Sequence, residues 1–303
     1  MQLPAGIIPP LATPLRAQDQ LDEAGLERLI EHVIENGVSG LFLLGSTGEA
    51  ASLSRRLRAE VIRTATKLTA ERVPVLAGVA DTAFEDALEL ARVAADAGAA
   101  AVVLAPPYYF SYSQEELFRY IERFAAASPL PVLLYNIPQN TKVPIEAQTV
   151  ARCADLPAVV GLKDSSFDLV YFAEAVRATR HRPDFRLYSG PEQLLLPMML
   201  LGAAGGVCGG ANFYPGLFVR LYRAAVSGDM ETAKRLQDVV QRVAKALYTV
   251  GDSGSSYIRG MKATLGCLGI CSELPALPLL PFEGHDRTMF ASRIADARKW
   301  AEF

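Results

Sequence analysis

One lysine in this 303-residue chain stands where an amine could act as a nucleophile. Lys163 ends the apolar run 159–163 and is followed at once by the polar residues Asp164 and Ser165. Burial disfavours the charged form of an amine and lowers its pKa from about 10. A neutral amine can attack a ketone and form a Schiff base. The alternative is a lysine at a strand end that extends into water, and the choice depends on whether other residues build a keto-acid pocket around it.

A second group of polar residues, 45–49, follows an apolar run near the N-terminus. It begins with Gly45 and contains the hydroxyls of Ser46 and Thr47. Backbone N–H groups at a helix start, together with two hydroxyls, suit an anionic carboxylate. An ordinary N-cap turn has the same composition. The segment therefore indicates a carboxylate site only where other residues support one.

Tyr135 ends the apolar run that precedes the run of Lys163. Neighbouring parallel strands lie about 5 Å apart, and strict alternation puts Val159, Gly161 and Lys163 on one face, beside Tyr135. We therefore predict that the phenol and the amine meet over a space opened by Gly161, where the phenol could transfer protons. A buried tyrosine with a satisfied hydroxyl is the simpler alternative.

Two further groups each allow two interpretations. The aromatic segment 108–112, which includes Tyr109, predicts a subunit contact or a pocket wall, because so apolar a patch is unfavourable in water. Gly190, Glu192 and Gln193 follow a later strand candidate. The two side chains of this group could bind substrate hydroxyls, or they could form the polar first turn of a helix.

The elements that must position these residues alternate along the chain. Eight short apolar runs are separated by amphipathic stretches with helical spacing. This order predicts an α/β fold, a TIM (β/α)8 barrel, since eight parallel strands close a barrel. A doubly wound sheet is the alternative, but the first βα turn has no glycine-rich dinucleotide motif. The strand candidates are residues 7–9, 40–44, 75–79, 101–104, 132–136, 159–163, 185–189 and 206–208.

The strand signal stops after Gly228. Beyond it, the apolar spacing predicts three helices, which would form a C-terminal three-helix extension. We therefore divide the chain into a barrel catalytic domain, residues 1–227, and a helical subdomain, residues 228–303. The three helices are predicted at residues 229–248, 257–268 and 286–300.

Composition and charge argue against several classes of partner and cofactor. The net charge of −3 and the lack of a basic run indicate no nucleic-acid partner. Four cysteines are too few for a disulfide framework, and three dispersed histidines have no metal-ligand spacing, so no metal is expected.

The N-terminus has no signal-peptide pattern. The uncharged stretch 193–219 contains prolines and glycines, which favour a helix, turn and strand over a membrane span. We expect a cytoplasmic protein without membrane contact.

Three motifs together resemble the dihydrodipicolinate synthase / N-acetylneuraminate lyase family of class I, pyruvate-binding aldolases. The resemblance covers nearly the whole chain, from residue 12 through the helical C-terminus. It implies that Lys163 forms the Schiff base with pyruvate, without any separate cofactor, and that Tyr135 transfers protons. The motifs are Gly45-Ser46-Thr47-Gly48-Glu49, Tyr135-Asn136-Ile137-Pro138 and Gly161-Leu162-Lys163-Asp164-Ser165.

The same resemblance implies roles for residues outside the lysine and tyrosine pair. Ser46 would relay protons, and Thr47 would bind the keto-acid carboxylate. Cys208 would contribute a backbone carbonyl near pyruvate, so that its thiol need not be reactive. The family is commonly a homotetramer, and Tyr109 resembles a tyrosine that a neighbouring subunit contributes.

One position departs from the synthases. Asn140 stands where they have an arginine for the carboxylate of aspartate semialdehyde, and loss of a bidentate contact would weaken that substrate. We therefore predict a lyase that makes or cleaves a C–C bond between pyruvate and an aldehyde, with a 4-hydroxy-2-oxo acid or a 2-keto-3-deoxy sugar acid as the condensed compound. The alternatives are a dihydrodipicolinate synthase, a sialic-acid-type lyase, a sugar-acid dehydratase and a non-catalytic keto-acid-binding protein.

Overall fold

The computed structural model describes residues 2–250 and 256–301, and this part of the chain contains ten strands. Two of them, β2 (Leu15–Ala17) and β3 (Gln20–Leu21), form an antiparallel hairpin. The other eight form one parallel sheet. They are β1 (Gly6–Ile7), β4 (Leu41–Leu43), β5 (Val75–Gly78), β6 (Ala101–Leu104), β7 (Val132–Asn136), β8 (Val159–Asp164), β9 (Arg186–Ser189) and β10 (Gly205–Gly206).

The two edges of this sheet, β1 and β4, meet and close it. Pro10, just beyond β1, forms a parallel bridge with Phe42 of β4. The Phe42 N–H donates to the Pro9 carbonyl at 3.0 Å, and the Leu11 N–H donates to the Phe42 carbonyl at 2.8 Å. The prediction of a TIM barrel is confirmed.

Helices surround the barrel, and side-chain caps mark the starts of some of them. The Ser54 hydroxyl accepts a hydrogen bond from the Leu57 N–H at 3.1 Å at the start of α2, and Ser113 with Glu116 forms a capping box at the start of α4. The helices that follow strands are α1 (Glu23–Glu35), α2 (Arg55–Thr69), α3 (Phe84–Asp96), α4 (Gln114–Ala127), α5 (Pro138–Thr141), α6 (Ala147–Ala154), α7 (Leu169–Ala178), α8 (Leu195–Leu201) and α9 (Pro215–Ser227).

The strand that carries Lys163 does not alternate as predicted. Val160 packs with Tyr135 in the core inside the barrel, whereas Val159 packs in the core between the barrel and its helices. The predicted placement of Val159 on the inner face is therefore wrong. Leu133 of β7 pairs with Gly161 although the residue before it pairs with Val159. Val160 is thus the extra residue of a β-bulge, which reverses the faces of the sheet on which the following side chains lie.

Gly161 also has a different role from the one predicted. A Cβ atom at this position would lie 2.2 Å from the Arg186 carbonyl oxygen of β9 and 3.0 Å from Leu133 Cδ1. The lack of a side chain therefore permits the close approach of the neighbouring strand. It does not open a space for substrate.

The uncharged stretch 193–219 is divided among several short elements. It contains α8, β10 and the first part of α9, with a 3-10 turn at Gly209–Asn212 between them. Among the described residues, no helix is both long enough and apolar enough to cross a membrane.

Three helices follow the barrel: α10 (Met230–Tyr248), α11 (Ser256–Cys267) and α12 (Gly284–Ala301). Their predicted bounds agree with the structure to within about two residues, a typical uncertainty for helix ends. Gln237 of α10 donates to the Glu192 carbonyl at 3.1 Å and accepts from the Leu196 N–H at 2.9 Å. The extension therefore contacts the loop after β9, and the division of the chain at residue 228 stays a prediction.

A buried ion pair ties α11 to the loop after β4. Lys262 Nζ lies 2.9 Å from Glu49 Oε1, and both side chains are only 1% exposed. The same amine donates to the Thr13 carbonyl and, at 3.0 Å, to the Leu274 carbonyl. The other carboxylate oxygen of Glu49 accepts from the Ala276 N–H at 2.7 Å. Both charges are thus paired and hydrogen-bonded, as burial of charge requires.

Replacing Lys262 by methionine should lower the free energy of unfolding by about 3–5 kcal/mol, because the Glu49 carboxylate would stay buried without its cation. Urea unfolding at a fixed protein concentration measures this change. The control variant Lys299→Met removes the cation of an exposed pair with Asp296, 3.2 Å apart, and should change stability by less than about 0.5 kcal/mol. Equal effects of the two variants would contradict the importance of the buried pair.

Candidate active site

A cavity of about 730 Å³ opens at the carboxyl ends of the strands, the end at which TIM barrels bind substrate. It brings together residues that are far apart in the sequence and that were predicted to belong to one site. Eight predicted site residues line it, namely Ser46, Thr47, Tyr135, Asn140, Lys163, Gly190, Glu192 and Gln193.

Lys163 points into the barrel. Its side chain is nearly buried, with the residue 4% exposed, and its Nζ lies 3.8 Å from the centre of the Tyr135 ring and 5.0 Å from that of Phe42. Tyr135 and Lys163 are direct partners in the register of β7 and β8, which explains why the two side chains meet. The alternative of a lysine that extends into water is wrong.

The Tyr135 hydroxyl lies in a charged and hydrogen-bonded environment. It is 3.4 Å from Ser46 Oγ. Burial acts to raise the pKa of Tyr135, but the positive charge of Lys163 and hydrogen bonds with Ser46, Lys163 and Ser165 outweigh burial and lower the pKa. This phenol therefore releases its proton more readily than an ordinary tyrosine.

The loop with Ser46 and Thr47 is held from both sides. The Thr13 hydroxyl donates to the Gly48 carbonyl at 2.7 Å, and Glu49 adopts a left-handed backbone with φ of 57° while pairing with Lys262. The loop therefore presents its two hydroxyls to the cavity from a fixed backbone, in agreement with a preorganised anion site.

Tyr257, at the start of α11, is a site residue that the sequence did not reveal. Its hydroxyl is hydrogen-bonded to Thr47 Oγ1 at 2.9 Å, and its ring packs edge-on against Tyr248 with 4.7 Å between ring centres. Burial raises the pKa of Tyr257 well above its usual value, so the phenol stays neutral. Nothing in the spacing of residues 256–267 distinguishes this tyrosine, because its contact joins positions 210 residues apart.

The loop after β8 is also tightly hydrogen-bonded. The buried Asp164 carboxylate accepts from Asn136 Nδ2 at 2.8 Å and from the Ser166 hydroxyl at 2.9 Å, while burial raises its pKa. Gln139 Nε2 donates to the Ser165 carbonyl at 2.7 Å. The loops after β7 and β8 therefore form one wall of the cavity.

A model of the dihydrodipicolinate synthetase family matches residues 3–297. The chain belongs to this family. Its enzymes are lyases that hold pyruvate as a Schiff base on a lysine, without a metal or an organic cofactor. The predictions of family, of a class I pyruvate aldolase and of a covalent imine are confirmed.

Three similar proteins each cover nearly the whole chain. The structure of dihydrodipicolinate synthase from Bacteroides thetaiotaomicron is similar with a TM-score of 0.95 and 47% identity, over 98% of this chain and 100% of the other. YagE of Escherichia coli K12, a prophage protein of the same family in complex with pyruvate, has a TM-score of 0.92 and 30% identity, over 97% and 98% of the chains. The 4-hydroxy-tetrahydrodipicolinate synthase of Phenylobacterium zucineum is 36% identical over 296 residues, which are 96% of this chain and 97% of the relative.

Three predicted site residues do not line the cavity within the part of the chain that the structure describes: Gly45, Cys208 and Tyr109. A Cβ atom on Gly45 would lie 2.7 Å from the Phe42 ring, so this glycine makes room for Phe42. Cys208 packs between the barrel and the helices, and burial raises its thiol pKa. Tyr109 is 70% exposed beside Phe110, which is 63% exposed.

Glu192 fits both of its predicted interpretations. It begins the 3-10 turn Glu192–Leu194, and it lines the cavity while being 4% exposed. Its Oε2 accepts from the Gly210 N–H at 2.7 Å. Burial raises the pKa of this carboxyl to about 7, against hydrogen bonds from Gly210 and Tyr248 that lower it. Glu192 is therefore partly protonated near neutral pH.

Glu192→Gln should alter how stability depends on pH. The native carboxyl holds its proton up to a pKa of about 7 instead of 4.5, so ionisation penalises the native state progressively between these values and fully above them. One pKa unit corresponds to about 1.4 kcal/mol, so wild type should lose roughly 3 kcal/mol relative to Glu192→Gln as pH rises from 4.5 to 7.5. Urea unfolding across this range measures the difference, and parallel curves would contradict the raised pKa.

Proposed function

We propose that Lys163 forms the Schiff base with pyruvate, and that the chain makes or cleaves a C–C bond between pyruvate and an uncharged, hydroxylated aldehyde. The condensed compound would be a 2-keto-3-deoxy sugar acid or a related 4-hydroxy-2-oxo acid. The observation that carries this proposal is the buried Lys163 amine, 3.8 Å above the ring of a tyrosine with a lowered pKa.

The keto-acid end of the cavity is suited to pyruvate. The carboxylate would accept hydrogen bonds from the hydroxyl and N–H groups of Ser46 and Thr47. The Tyr257 hydroxyl is hydrogen-bonded to Thr47 Oγ1 at 2.9 Å, so the threonine side chain is oriented before substrate binds. Pyruvate held in this way would have its C2 ketone toward Lys163, the proposed nucleophile.

The steps balance with these groups alone. The Lys163 amine adds to C2, and the resulting carbinolamine loses water to give an iminium ion. Tyr135, which has given its proton to the departing hydroxyl, takes a proton from C3 to give an enamine. The enamine C3 then attacks the aldehyde carbon while Tyr135 passes that proton to the aldehyde oxygen. Ser46, 3.4 Å from the phenol, can return a proton to it, and hydrolysis of the new iminium releases the product. In the cleavage direction Tyr135 takes the proton from the C4 hydroxyl.

The outer part of the cavity favours an uncharged acceptor. Within residues 2–250 and 256–301, Lys163 is the only cationic side chain that lines the cavity. The acceptor side offers amides and a hydroxyl from Gln139, Asn140 and Ser165. A second carboxylate would therefore lack the bidentate arginine that recognises such groups well.

A dihydrodipicolinate synthase is the second candidate. It is favoured by the 47% identity to a structure described as that enzyme. Aspartate semialdehyde would then bind without an arginine from this chain, with Asn140 in contact with its carboxylate.

We further propose a cytoplasmic homotetramer. The exposed rings of Tyr109 and Phe110, with 4.9 Å between their centres, form an apolar patch that a subunit contact would cover. Tyr109 would then reach the cavity of a neighbouring subunit. Sedimentation equilibrium measures the mass of the assembly, and a fully active monomer would contradict the proposal.

Mixing the protein with pyruvate and sodium borohydride should trap a covalent adduct on Lys163, because the reductant converts the imine into a stable secondary amine. Peptide mass spectrometry locates the modified residue. Lys163→Ala should give no adduct at this position, whereas Lys262→Met, if folded, should still give it. An adduct on another lysine would refute the assignment of Lys163.

Steady-state assays should separate the two candidate acceptors. We expect kcat/KM with pyruvate and D-glyceraldehyde to exceed that with pyruvate and aspartate semialdehyde, because the latter must bury an unpaired carboxylate. Asn140→Arg should raise kcat/KM for aspartate semialdehyde relative to that for D-glyceraldehyde by roughly tenfold or more. The reason is that a hydrogen bond to a charged group contributes about 1.5–3 kcal/mol. A wild-type preference for aspartate semialdehyde would favour the synthase instead.

A further inference from the structure

We propose that Phe167 is a specificity-determining residue, whose ring forms the wall against which the acceptor aldehyde packs. This inference rests on the proposed function, since it concerns the second substrate of the same cavity. Phe167 lies in the loop between β8 and α7 and lines the cavity at its outer part. It is 56% exposed, so its ring faces the open side and contributes little to the core.

The backbone at Phe167 is unusual for an aromatic residue. Its φ angle is +64°, in the left-handed region that costs residues other than glycine roughly 1–2 kcal/mol. Asparagine and aspartate can offset this cost with local hydrogen bonds, whereas phenylalanine has no polar side-chain atom. Neither burial nor backbone preference therefore favours phenylalanine here, and a glycine would suit the position better.

The left-handed turn is imposed by hydrogen bonds on both sides of it. Asp164 accepts from the Ser166 N–H at 3.1 Å and from its hydroxyl at 2.9 Å. The Ser166 hydroxyl accepts from the Asp168 N–H at 3.2 Å. Asp168 in turn caps α7 by accepting from the Val170 N–H at 2.8 Å. The ring of Phe167 is therefore carried by a fixed loop, so it meets a ligand without a prior ordering step.

The groups beside Phe167 define the chemistry of the ligand. Gln139, Asn140 and Ser165 line the same cavity. Ser165 is two residues from Phe167, and Gln139 donates a hydrogen bond to the Ser165 carbonyl. An aromatic face beside amides and a hydroxyl suits a chain with a C–H face and several hydroxyls, because apolar contact and hydrogen bonding are then available together. This describes a polyhydroxylated aldehyde of three or more carbons.

The test compares kinetics and thermal stability for Phe167→Gly and wild type, with glycolaldehyde, D-glyceraldehyde and D-erythrose as acceptors. The variant should raise KM for D-glyceraldehyde and D-erythrose by roughly tenfold, the loss expected for one aromatic contact. KM for pyruvate and for glycolaldehyde, which is too short to reach the ring, should stay within about twofold. Phe167→Tyr should retain the wild-type values, because it keeps the ring.

Stability separates this role from a structural one. Phe167→Gly should leave Tm unchanged or raise it by about 1–4 °C, because glycine adopts the left-handed backbone conformation without strain. Glu71→Gly is the matched control: Glu71 is exposed with φ of +58°, so it should shift Tm in the same direction and leave all KM values unchanged.

Three results would overturn the proposal. Unchanged KM values for the longer aldehydes in Phe167→Gly would show that the ring does not contact the acceptor. A lower Tm with weaker pyruvate binding would show a structural role. Wild type that is inactive with all three aldehydes would refute both this inference and the acceptor class, while the pyruvate adduct on Lys163 would still report on the Schiff base separately.

Discussion

The buried contact between Glu49 and Lys262 holds together parts of the chain that are far apart in the sequence. Glu49 ends the loop that presents Ser46 and Thr47, and Lys262 belongs to α11, which begins with Ser256 and includes Tyr257. An ion pair in a dry interior tolerates little displacement, because each charge is stable there only beside its partner. The helical extension thus helps to hold the loop that carries Ser46 and Thr47, although the barrel alone supplies Lys163 and Tyr135.

The cavity divides into two halves with different constraints. The inner half contains Lys163, Tyr135 and the loop with Ser46 and Thr47, and its geometry follows from strand register and from the closed barrel. The outer half includes α5, which follows β7 and carries Asn140, and the loop after β8, which carries Phe167. In TIM barrels, loop variation changes the substrate while the strands keep the chemistry. Family membership therefore fixes the reaction class, and on the present proposal the outer part of the cavity would decide the aldehyde.

The sequence predicts the features that depend on local pattern and strand order. Tyr135 and Lys163 could be paired in advance because each ends a run of apolar residues on consecutive strands, and consecutive βα units are neighbours in a parallel barrel. The bulge at Val160 was missed, since two consecutive valines give no sign of which one is extra. Tyr257 and Lys262 were missed for another reason: their partners are more than 200 residues away, and only tertiary packing brings them together.

The positive charge of Lys163 affects both the formation of the imine and the step at the aldehyde in the proposed reaction. That charge lowers the pKa of Tyr135, so the proposed nucleophile also makes the proposed proton donor more acidic. In the proposed reaction an iminium on Lys163 would again put a positive charge beside the phenol and would favour proton exchange between Tyr135 and the aldehyde oxygen. Among the residues that the structure describes, Lys163 alone gives the cavity a cationic side chain, which favours an acceptor that carries no charge.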